Sequence, residues 1–389
     1  MVKTSTGALL LASLTFGGSA ALAEPTQASA PMAVPTTVSK IAEKALERPN
    51  IGGIGMARIK DGEVVWSGYW GEQSEGVPVT EQTAFNTGSV SKTIIAETVL
   101  RLADQGKMSL DDPIAEYYKH PHLKDDPRYS KLTPRILLSH QAALLNWRWN
   151  YDDLKLAFIR DPGTGEISYS GAGIEIVMRY LEARFDMPYP ELADEIVLEP
   201  LGIEGLAVAR EPWLEGRVSE PRSGDGTVFP PFTRSGDDVL IEAEDYTAAD
   251  NMYATVPGYA QLLIEMIKGT GLSPEMRAER ATLQSSSSTE LGYACVAEPQ
   301  ECPKPLGYGI GWALFGEPER TVLNHGGNDF AEHAQVYFIP ETGEGLVLFV
   351  NGGAAFPVGV ELMLAVDPEL RMAKHYDALI RKMREAGGG

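Results

Sequence analysis

The order of local patterns along this 389-residue chain predicts an α+β fold, in which an antiparallel sheet flanked by helices is built from both chain ends. Two observations support this prediction. Alternating, β-rich segments lie near residues 51–73 and again after residue 306. The sequence between them consists mostly of helical patterns joined by loops. We therefore expect a helical lobe inserted between the two halves of the sheet.

The N-terminal half of the sheet begins with a helix and a hairpin. Residues 36–48 carry apolar side chains at helical spacing. Residues 51–73 form two β-rich runs around Asp61-Gly62, which is a strong turn signal. Residues 92–106 then predict a long amphipathic helix that ends at Gly106.

The middle of the chain is predicted to be mainly helical, over residues 134–144, 172–185 and 257–269. Residues 211–245 are polar and rich in Gly, Pro, Asp and Glu. They fit a lid or site wall and a solvated insertion equally well. Strand patterns return at residues 306–315, 320–327 and 334–353, with a hairpin turn at 341–345, and residues 368–386 predict a closing helix.

The N-terminus predicts an exported protein. Lys3 is the only charged residue before Glu24, and Ala21-Leu22-Ala23 has the small-x-small form of a signal peptidase site. We expect a signal peptide over residues 1–23, a flexible lead-in over residues 24–35, and a periplasmic or secreted location.

The remaining residues, 36–389, are predicted to form a single catalytic domain. Its α/β lobe would comprise residues 36–86 and 300–389, and its helical lobe residues 87–299. The net charge of −21 makes nucleic acid and anionic membranes poor partners. No downstream stretch is long and apolar enough to span a bilayer. We expect the partner to be a small-molecule or peptide substrate.

The two cysteines, Cys295 and Cys302, are close together in a predicted loop. In an oxidising compartment they could close a small local disulfide, and two free thiols are the alternative. With no histidine near them they make a poor zinc site. The sequence contains no motif for a metal or a cofactor.

The segment "FNTGSVSKTI", residues 85–94, places Ser89 three residues before Lys92 at a predicted helix start. Residues i and i+3 share a helix face, and no other serine of the chain has a lysine at that spacing. A helix N-terminus disfavours an ammonium group, so Lys92 could take a proton from Ser89. Taken alone, the pair also fits a capping serine followed by a surface lysine.

Two further segments carry candidate site residues. Tyr169 follows a Pro/Gly turn in "PGTGEISYSGAG" and could pass protons if a cation such as Lys92 stabilised its phenolate, or could simply cap a turn. His325 precedes Gly326-Gly327 in "NHGGND", where a glycine-rich strand allows a substrate to lie alongside.

Three other features stay open or receive structural interpretations. His140 is interpreted as a structural histidine, and His120 and His122 as part of a solvated loop. The aromatic and cationic residues 147–151 could line a cleft or belong to the core.

In this order, the three segments resemble the serine β-lactamase and penicillin-binding DD-peptidase superfamily. They are most similar to the branch that includes class C β-lactamases, D-aminopeptidases and esterases. The resemblance extends over residues 36–380 and implies a β-lactamase/transpeptidase-like fold with a serine acyl-enzyme. The resemblance implies that Ser89 is the nucleophile and that Lys92 and Tyr169 are its proton-transfer partners. It implies that His325 and Gly327 lie on the strand bordering the cleft. The implied oxyanion hole consists of the backbone N–H groups of Ser89 and Asn328.

The sequence departs from the β-lactamases of this branch in two motifs. Those enzymes usually carry Tyr-x-Asn and Lys-Thr-Gly, whereas this chain has Tyr169-Ser170-Gly171 and His325-Gly326-Gly327. The missing lysine leaves His325, which we expect to be charged only in mildly acidic solution. A further departure lies in the segment "AADNMYAT", residues 248–255, where the family often has a Gly-Gly pair. The first two changes predict weak penicillin hydrolysis.

The sequence therefore predicts an exported serine hydrolase that acts through a Ser89 acyl-enzyme on an amide or ester, such as a D-amino-acid peptide or an ester. The alternatives are a class C-like β-lactamase and a non-catalytic penicillin-binding or sensor relative. An α/β-hydrolase is excluded because the chain has no Gly-x-Ser-x-Gly, and a metal hydrolase because it has no His-Glu-x-x-His.

Overall fold

The protein, in a computed structural model, is built around an antiparallel sheet. The structure describes residue 1 and residues 32–236, 239–242, 246–287, 289–290 and 292–387. Apart from Met1, the predicted signal peptide (1–23) lies outside the described residues, as do positions 24–31 of the lead-in.

The strands of the described part are, in chain order, β1 Gly53–Lys60, β2 Glu63–Ser74, β3 Val77–Pro78, β4 Phe85–Asn86, β5 Leu206–Ala207, β6 Thr233–Gly236, β7 Val239–Glu242, β8 Tyr253–Ala254, β9 Leu306–Tyr308, β10 Ala313–Glu317, β11 Arg320–Asn328, β12 Glu332–Ile339 and β13 Glu344–Asn351. The helices are α1 Thr36–Ala45, α2 Lys92–Asp104, α3 Pro134–Leu138, α4 Gly171–Phe185, α5 Tyr189–Ala193, α6 Glu199–Leu201, α7 Val256–Lys268, α8 Pro274–Arg280, α9 Phe356–Val366 and α10 Arg371–Gly387.

The main sheet joins the two ends of the described chain. Its strand order is β3-β2-β1-β13-β12-β11-β10-β9, and the junction between the halves is the antiparallel pair β1 and β13, in register from Gly53 opposite Asn351 to Ile59 opposite Gly345. The predicted α+β class, with a sheet made from both chain ends, is confirmed. The predicted hairpin turn is also present, because Asp61 and Gly62 both have positive φ.

Both faces of the sheet are buried. Along β13, Val347 and Phe349 pack into one core with α2 and α7, whereas Leu348 and Val350 pack into a second core with α1, α9 and α10. Side chains alternate between the faces of a strand, so strands covered on both sides are apolar throughout. This arrangement places the start of α2 against the sheet.

The sequence prediction was wrong in one segment that matters for the site. Residues 134–144 were expected to be helical, but α3 ends at Leu138. His140 and Ala143 then adopt positive φ, at 55° each, which a continuing helix cannot accommodate. The helix α9 was not predicted, and a turn at residues 309–312 divides the predicted strand 306–315 into β9 and β10.

The polar stretch 211–245 is buried at a few positions of its described part. Leu214, Val218 and Phe232 form a small buried cluster with Ala84 and Tyr253. Residues 237–238 and 243–245 lie outside the described residues.

The cysteines are paired as predicted. The sulfurs of Cys295 and Cys302 lie within disulfide-bonding distance, and their Cα atoms are 5.8 Å apart. Among the residues that the structure describes, no helix combines the length and the apolar composition that a bilayer crossing requires.

Candidate active site

The site begins at a tight 3₁₀ turn, residues 88–91, between β4 and α2. Gly88 has φ +52°, and its N–H donates to Asn86 Oδ1 at 3.0 Å. The N–H and the hydroxyl of Thr87 both donate to the Met252 carbonyl oxygen, at 2.9 and 3.1 Å. These bonds fix the backbone on both sides of the turn, which presents the half-buried Ser89 side chain.

Lys92, the first residue of α2, is only 1% exposed and reaches back towards the serine. Its Nζ lies 2.7 Å from Ser89 Oγ and also donates to the Ala249 carbonyl oxygen at 2.5 Å. The structure therefore brings the predicted pair into hydrogen-bond contact. A neutral amine at this distance can take the hydroxyl proton and make the serine oxygen a nucleophile.

Tyr169 stands beside this pair, on the turn that leads into α4. The Lys92 Nζ lies 5.3 Å from the centre of the Tyr169 ring. The phenol hydroxyl makes no hydrogen bond with the described residues, whereas the backbone N–H donates to Glu290 Oε1 at 3.1 Å. The structure thus places Tyr169 next to the lysine, with its hydroxyl still available to a substrate.

His140 holds the tyrosine segment in place. Its ring packs on the Tyr169 ring with centroids 4.3 Å apart, and its Nδ1 accepts a hydrogen bond from the Ser170 N–H at 3.1 Å. Its carbonyl oxygen accepts from the Ser168 N–H at 2.7 Å. Burial, and secondarily the charge of Lys92, lower the pKa of His140 well below its usual range, so the ring is neutral. The sequence predicted a structural histidine, and its place behind Tyr169 depends on the turn that follows α3.

Strand β11, which lies between β10 and β12 and is not an edge strand of the sheet, runs directly against the nucleophile turn. A Cβ on Gly327 would overlap the carbonyl oxygen of Thr87 and stand 3.1 Å from the Ser89 nitrogen. A Cβ on Gly88 would stand 3.4 Å from the Asn328 nitrogen. The backbone nitrogens of Ser89 and Asn328 therefore belong to adjoining segments that only glycine allows to approach so closely.

His325 occupies a different environment from the one expected. It is 2% exposed, its Nδ1 lies 2.9 Å from the Gly326 carbonyl oxygen, and its Nε2 lies 3.2 Å from the Tyr308 hydroxyl. Burial, and then the charge of Lys92, lower the pKa of His325 to about 3. The expectation that mild acid charges this histidine is therefore wrong.

An aromatic wall, defined by Trp147 and Trp149, completes the lysine side of the site. The two rings are stacked with centroids 5.1 Å apart, and Lys92 Nζ lies 5.8 Å from the Trp147 ring. A Cβ on Gly171 would stand 2.5–2.8 Å from atoms of that ring. The Trp147 indole thus occupies the space into which a side chain at position 171 would project. Trp147 lies near Lys92 and also packs, partly buried, against the core, so both alternatives that the sequence left open apply to it.

Asp250 adds a buried carboxyl group close to the nucleophile turn. It is 9% exposed, and its Oδ1 lies 3.4 Å from the position of a Cβ on Gly88. Burial, and next the negative charge of Asp329, raise the pKa of Asp250 well above its usual range. Asp250 belongs to the segment 248–255, in which the sequence departs from a Gly-Gly pair of the family, but that segment does not indicate where the carboxyl group lies.

No sequence pattern indicated a role for Ala249 or Glu175. Ala249 contributes through its backbone carbonyl, which any residue carries. Glu175, on α4, accepts hydrogen bonds from the Thr247 hydroxyl and from the Ala249 N–H. Ala249 contacts Lys92 directly, and Glu175 contacts Ala249, which lies in an irregular segment whose path depends on tertiary contacts.

Among the described residues, no three histidine, cysteine, aspartate or glutamate side chains form a group suited to a metal ion.

A serine and a lysine in contact at a helix start, beside a glycine-containing strand of an antiparallel sheet, define a serine hydrolase of the β-lactamase and penicillin-binding protein type. A family model described as Beta-lactamase matches residues 38–365, which is most of the chain. The chain belongs to the Beta-lactamase family.

Curated relatives include proteins with different activities. Penicillin-binding protein 4 of Amycolatopsis lactamdurans is 24% identical over 79% of this chain and 82% of its own length. Esterase EstB of Burkholderia gladioli is 25% identical over 60% of this chain and 70% of its own.

Solved structures show the same fold. EstCE1, described as a hydrolase with promiscuous acyltransferase activity, is 19% identical, with a TM-score of 0.67 over 88% of this chain and 97% of its own. The D-amino acid amidase of Ochrobactrum anthropi SV3 is 17% identical, with a TM-score of 0.64 over 90% of this chain and 98% of its own.

Proposed function

We propose that this protein is an exported serine hydrolase in which Ser89 forms an acyl-enzyme with an amide or ester substrate, such as a D-amino-acid peptide or an ester. The observation that carries the proposal is the 2.7 Å contact between Ser89 Oγ and the buried Lys92 Nζ. A serine hydroxyl becomes an effective nucleophile only when a neighbouring base takes its proton.

In the acylation step, Ser89 Oγ attacks the substrate carbonyl carbon while its proton passes to Lys92 Nζ, which acts as the general base. The carbonyl oxygen gains negative charge and accepts hydrogen bonds from the backbone N–H groups of Ser89 and Asn328. When the tetrahedral intermediate collapses, the bond to the leaving group breaks. The departing amine or alkoxide takes a proton through the Tyr169 hydroxyl.

In the deacylation step, water attacks the Ser89 ester and loses its proton to the Lys92 and Tyr169 pair. The second tetrahedral intermediate then releases the carboxylic acid, and Ser89 Oγ regains a proton. Gly327 supports both steps because it allows β11 to lie against the nucleophile turn.

Two features favour esters and peptides over β-lactams. His325 is buried and neutral, so β11 supplies no cation at this position for a substrate carboxylate. At position 171, where the β-lactamases of the branch usually carry an asparagine amide, the space is filled by the Trp147 ring. An apolar or aromatic acyl group could pack against that surface. The curated esterase relative and the amidase of the same fold support this substrate class.

Export is supported by the leader-like sequence 1–23 and by the Cys295–Cys302 pair, since disulfides persist in oxidising compartments. Expression with the native N-terminus in a Gram-negative host tests it. We expect the periplasmic or secreted protein to begin at Glu24, and an unprocessed chain in the cytoplasm would contradict export.

The activity is tested by intact-mass analysis after exposure to a fluorophosphonate and, separately, to a penicillin. We expect a fluorophosphonate adduct on Ser89 that is absent from the Ser89→Ala variant. No adduct with either probe would refute an acyl-enzyme mechanism and favour a non-catalytic relative. Turnover of p-nitrophenyl esters, D-amino-acid anilides and nitrocefin then identifies the substrate. Dominant nitrocefin turnover would favour the class C-like β-lactamase instead.

A further inference from the structure

The Lys92 Nζ has a second hydrogen-bond partner besides Ser89, and that partner lies on an irregular segment. Residues 246–250 belong to no helix or strand. The carbonyl oxygen of Ala248 accepts a hydrogen bond from Ser91 Oγ at 3.1 Å, and that of Ala249 accepts from Lys92 Nζ at 2.5 Å. The position of the lysine amine therefore depends on what holds this segment.

One carboxylate holds it from the other side. Oε1 of Glu175 accepts a hydrogen bond from the Ala249 N–H at 3.1 Å and another from the Thr247 hydroxyl. Thr247 Oγ1 also accepts from the Ala249 N–H at 3.0 Å, so three groups share one small network. Glu175 follows Tyr169 by six residues and lies in the first half of α4.

Both donors of this network are directed at one carboxyl oxygen, Glu175 Oε1, and the net pKa of Glu175 is raised. Burial raises the pKa of Glu175, and the hydrogen bonds from Thr247 and Ala249 oppose that rise because they favour the carboxylate. The charges of Arg179 and Lys92 act in the same direction as those hydrogen bonds.

We propose that Glu175 is a positioning residue for the proton acceptor of the reaction: it holds the 247–249 segment so that the Ala249 carbonyl keeps the Lys92 amine against Ser89. The inference rests on the proposed function. Glu175 touches neither Ser89 nor Lys92 by a hydrogen bond, and it acts through the backbone of Ala249. It also links α4, the helix that begins two residues after Tyr169, to the segment that contacts the lysine.

The test compares Glu175→Ala and Glu175→Gln, because glutamine retains an acceptor oxygen for the Thr247 hydroxyl and the Ala249 N–H. Glu182→Ala is the matched control. Glu182 lies on the same helix and accepts a hydrogen bond from the Tyr246 hydroxyl at 2.6 Å, so it contacts the same irregular segment but not the Thr247 hydroxyl or the Ala249 N–H. The readouts are the second-order rate of Ser89 labelling by a fluorophosphonate from pH 5 to 9, and the melting temperature.

We expect Glu175→Ala to slow labelling by roughly 10- to 100-fold, as displacement of a reacting group by about 1 Å does. Glu175→Gln should restore most of that rate, and Glu182→Ala should stay within about threefold of the wild type. Wild-type labelling in Glu175→Ala, or an equal loss in Glu182→Ala, would overturn the proposal. If Glu175→Ala does not fold, Thr247→Val decides, because it removes the bridging hydroxyl. We expect slower labelling there too, and an unchanged rate would overturn the proposal.

Crystal structures of the variants give a readout that does not need activity. In Glu175→Ala, or in Thr247→Val if the alanine variant does not fold, the Lys92 Nζ to Ala249 O separation should exceed hydrogen-bond distance, about 3.5 Å. In Glu175→Gln it should stay within that distance. If the hydrogen bond from Lys92 Nζ to the Ala249 carbonyl oxygen is retained in Glu175→Ala, or in Thr247→Val where that variant replaces it, the positioning role is overturned. If the wild-type protein is not labelled at Ser89, the proposed function fails, whereas these structures still decide whether Glu175 positions the lysine.

Discussion

Replacing Gly327 by alanine should separate β11 from the nucleophile turn. The added Cβ would overlap the Thr87 carbonyl oxygen and stand 3.1 Å from the Ser89 nitrogen. Both obstacles are backbone atoms, so no side-chain rotation relieves them. A normal carbon–oxygen contact requires the two segments to separate by about 1 Å. A misplacement of about 1 Å at a reacting centre costs on the order of 10²-fold in rate, about 2.7 kcal/mol of transition-state stabilisation.

The assay is kcat/KM for a p-nitrophenyl ester, measured beside the melting temperature. Gly326→Ala is the control on the same strand, because a Cβ there first meets the flexible end of Gln335, at 3.2 Å from Oε1. We expect the control to remain within about threefold of the wild type and Gly327→Ala to lose roughly 100-fold while still folded. If Gly327→Ala hydrolyses the ester as well as Gly326→Ala does, close approach of β11 does not build the oxyanion site.

Three further changes test other parts of the site. Lys92→Met should slow fluorophosphonate labelling on the order of 10²- to 10⁴-fold, because it removes the base yet fills the same space. An unchanged rate would refute that role. Gly171→Asn should lower the free energy of unfolding, measured by chemical denaturation, by about 1–3 kcal/mol because the asparagine side chain meets the Trp147 ring. Adding Trp147→Ala should recover most of that free energy. Additive losses would contradict the clash. Burial, and next the negative charge of Asp329, raise the pKa of Asp250. The folded state therefore binds this proton more tightly than the unfolded state does. The stability contributed by the neutral carboxyl group is lost as the pH rises from about 4. Asp250→Asn should therefore be more stable than the wild type by about 1–3 kcal/mol at pH 8, with little difference at pH 4, and a pH-independent gain in melting experiments would contradict this reasoning.

The nucleophile pair could be predicted because its geometry is local. Ser89 and Lys92 are three residues apart at a helix start, and helix geometry brings such residues together whatever surrounds them. The hairpin around Asp61-Gly62 and the meander after residue 306 were predicted for the same reason, since alternation and turn residues act over a few positions. The charge balance is likewise a property of composition, whereas the signal peptide and the division into lobes stay predictions.

The rest of the site depends on contacts between distant segments. His140 was placed in a helix because its sequence is helical in pattern, yet α3 ends at Leu138 and the positive φ of His140 allows its ring to pack on Tyr169. The neutral state of His325 follows from its burial, which no adjacent residue indicates.

The sequence by itself thus determined the sheet from both chain ends, the Ser89 and Lys92 pair, and the glycine at position 327 that lets a strand approach. Only the tertiary structure decided what surrounds that pair: the Trp147 ring in the space beside Gly171, and the Ala249 carbonyl held by Glu175. The physical reason is the range of the interactions involved. Backbone dihedral preferences and periodicity act between neighbours in sequence, whereas burial, backbone hydrogen bonds and the environment of a charge are set by residues that meet only after folding.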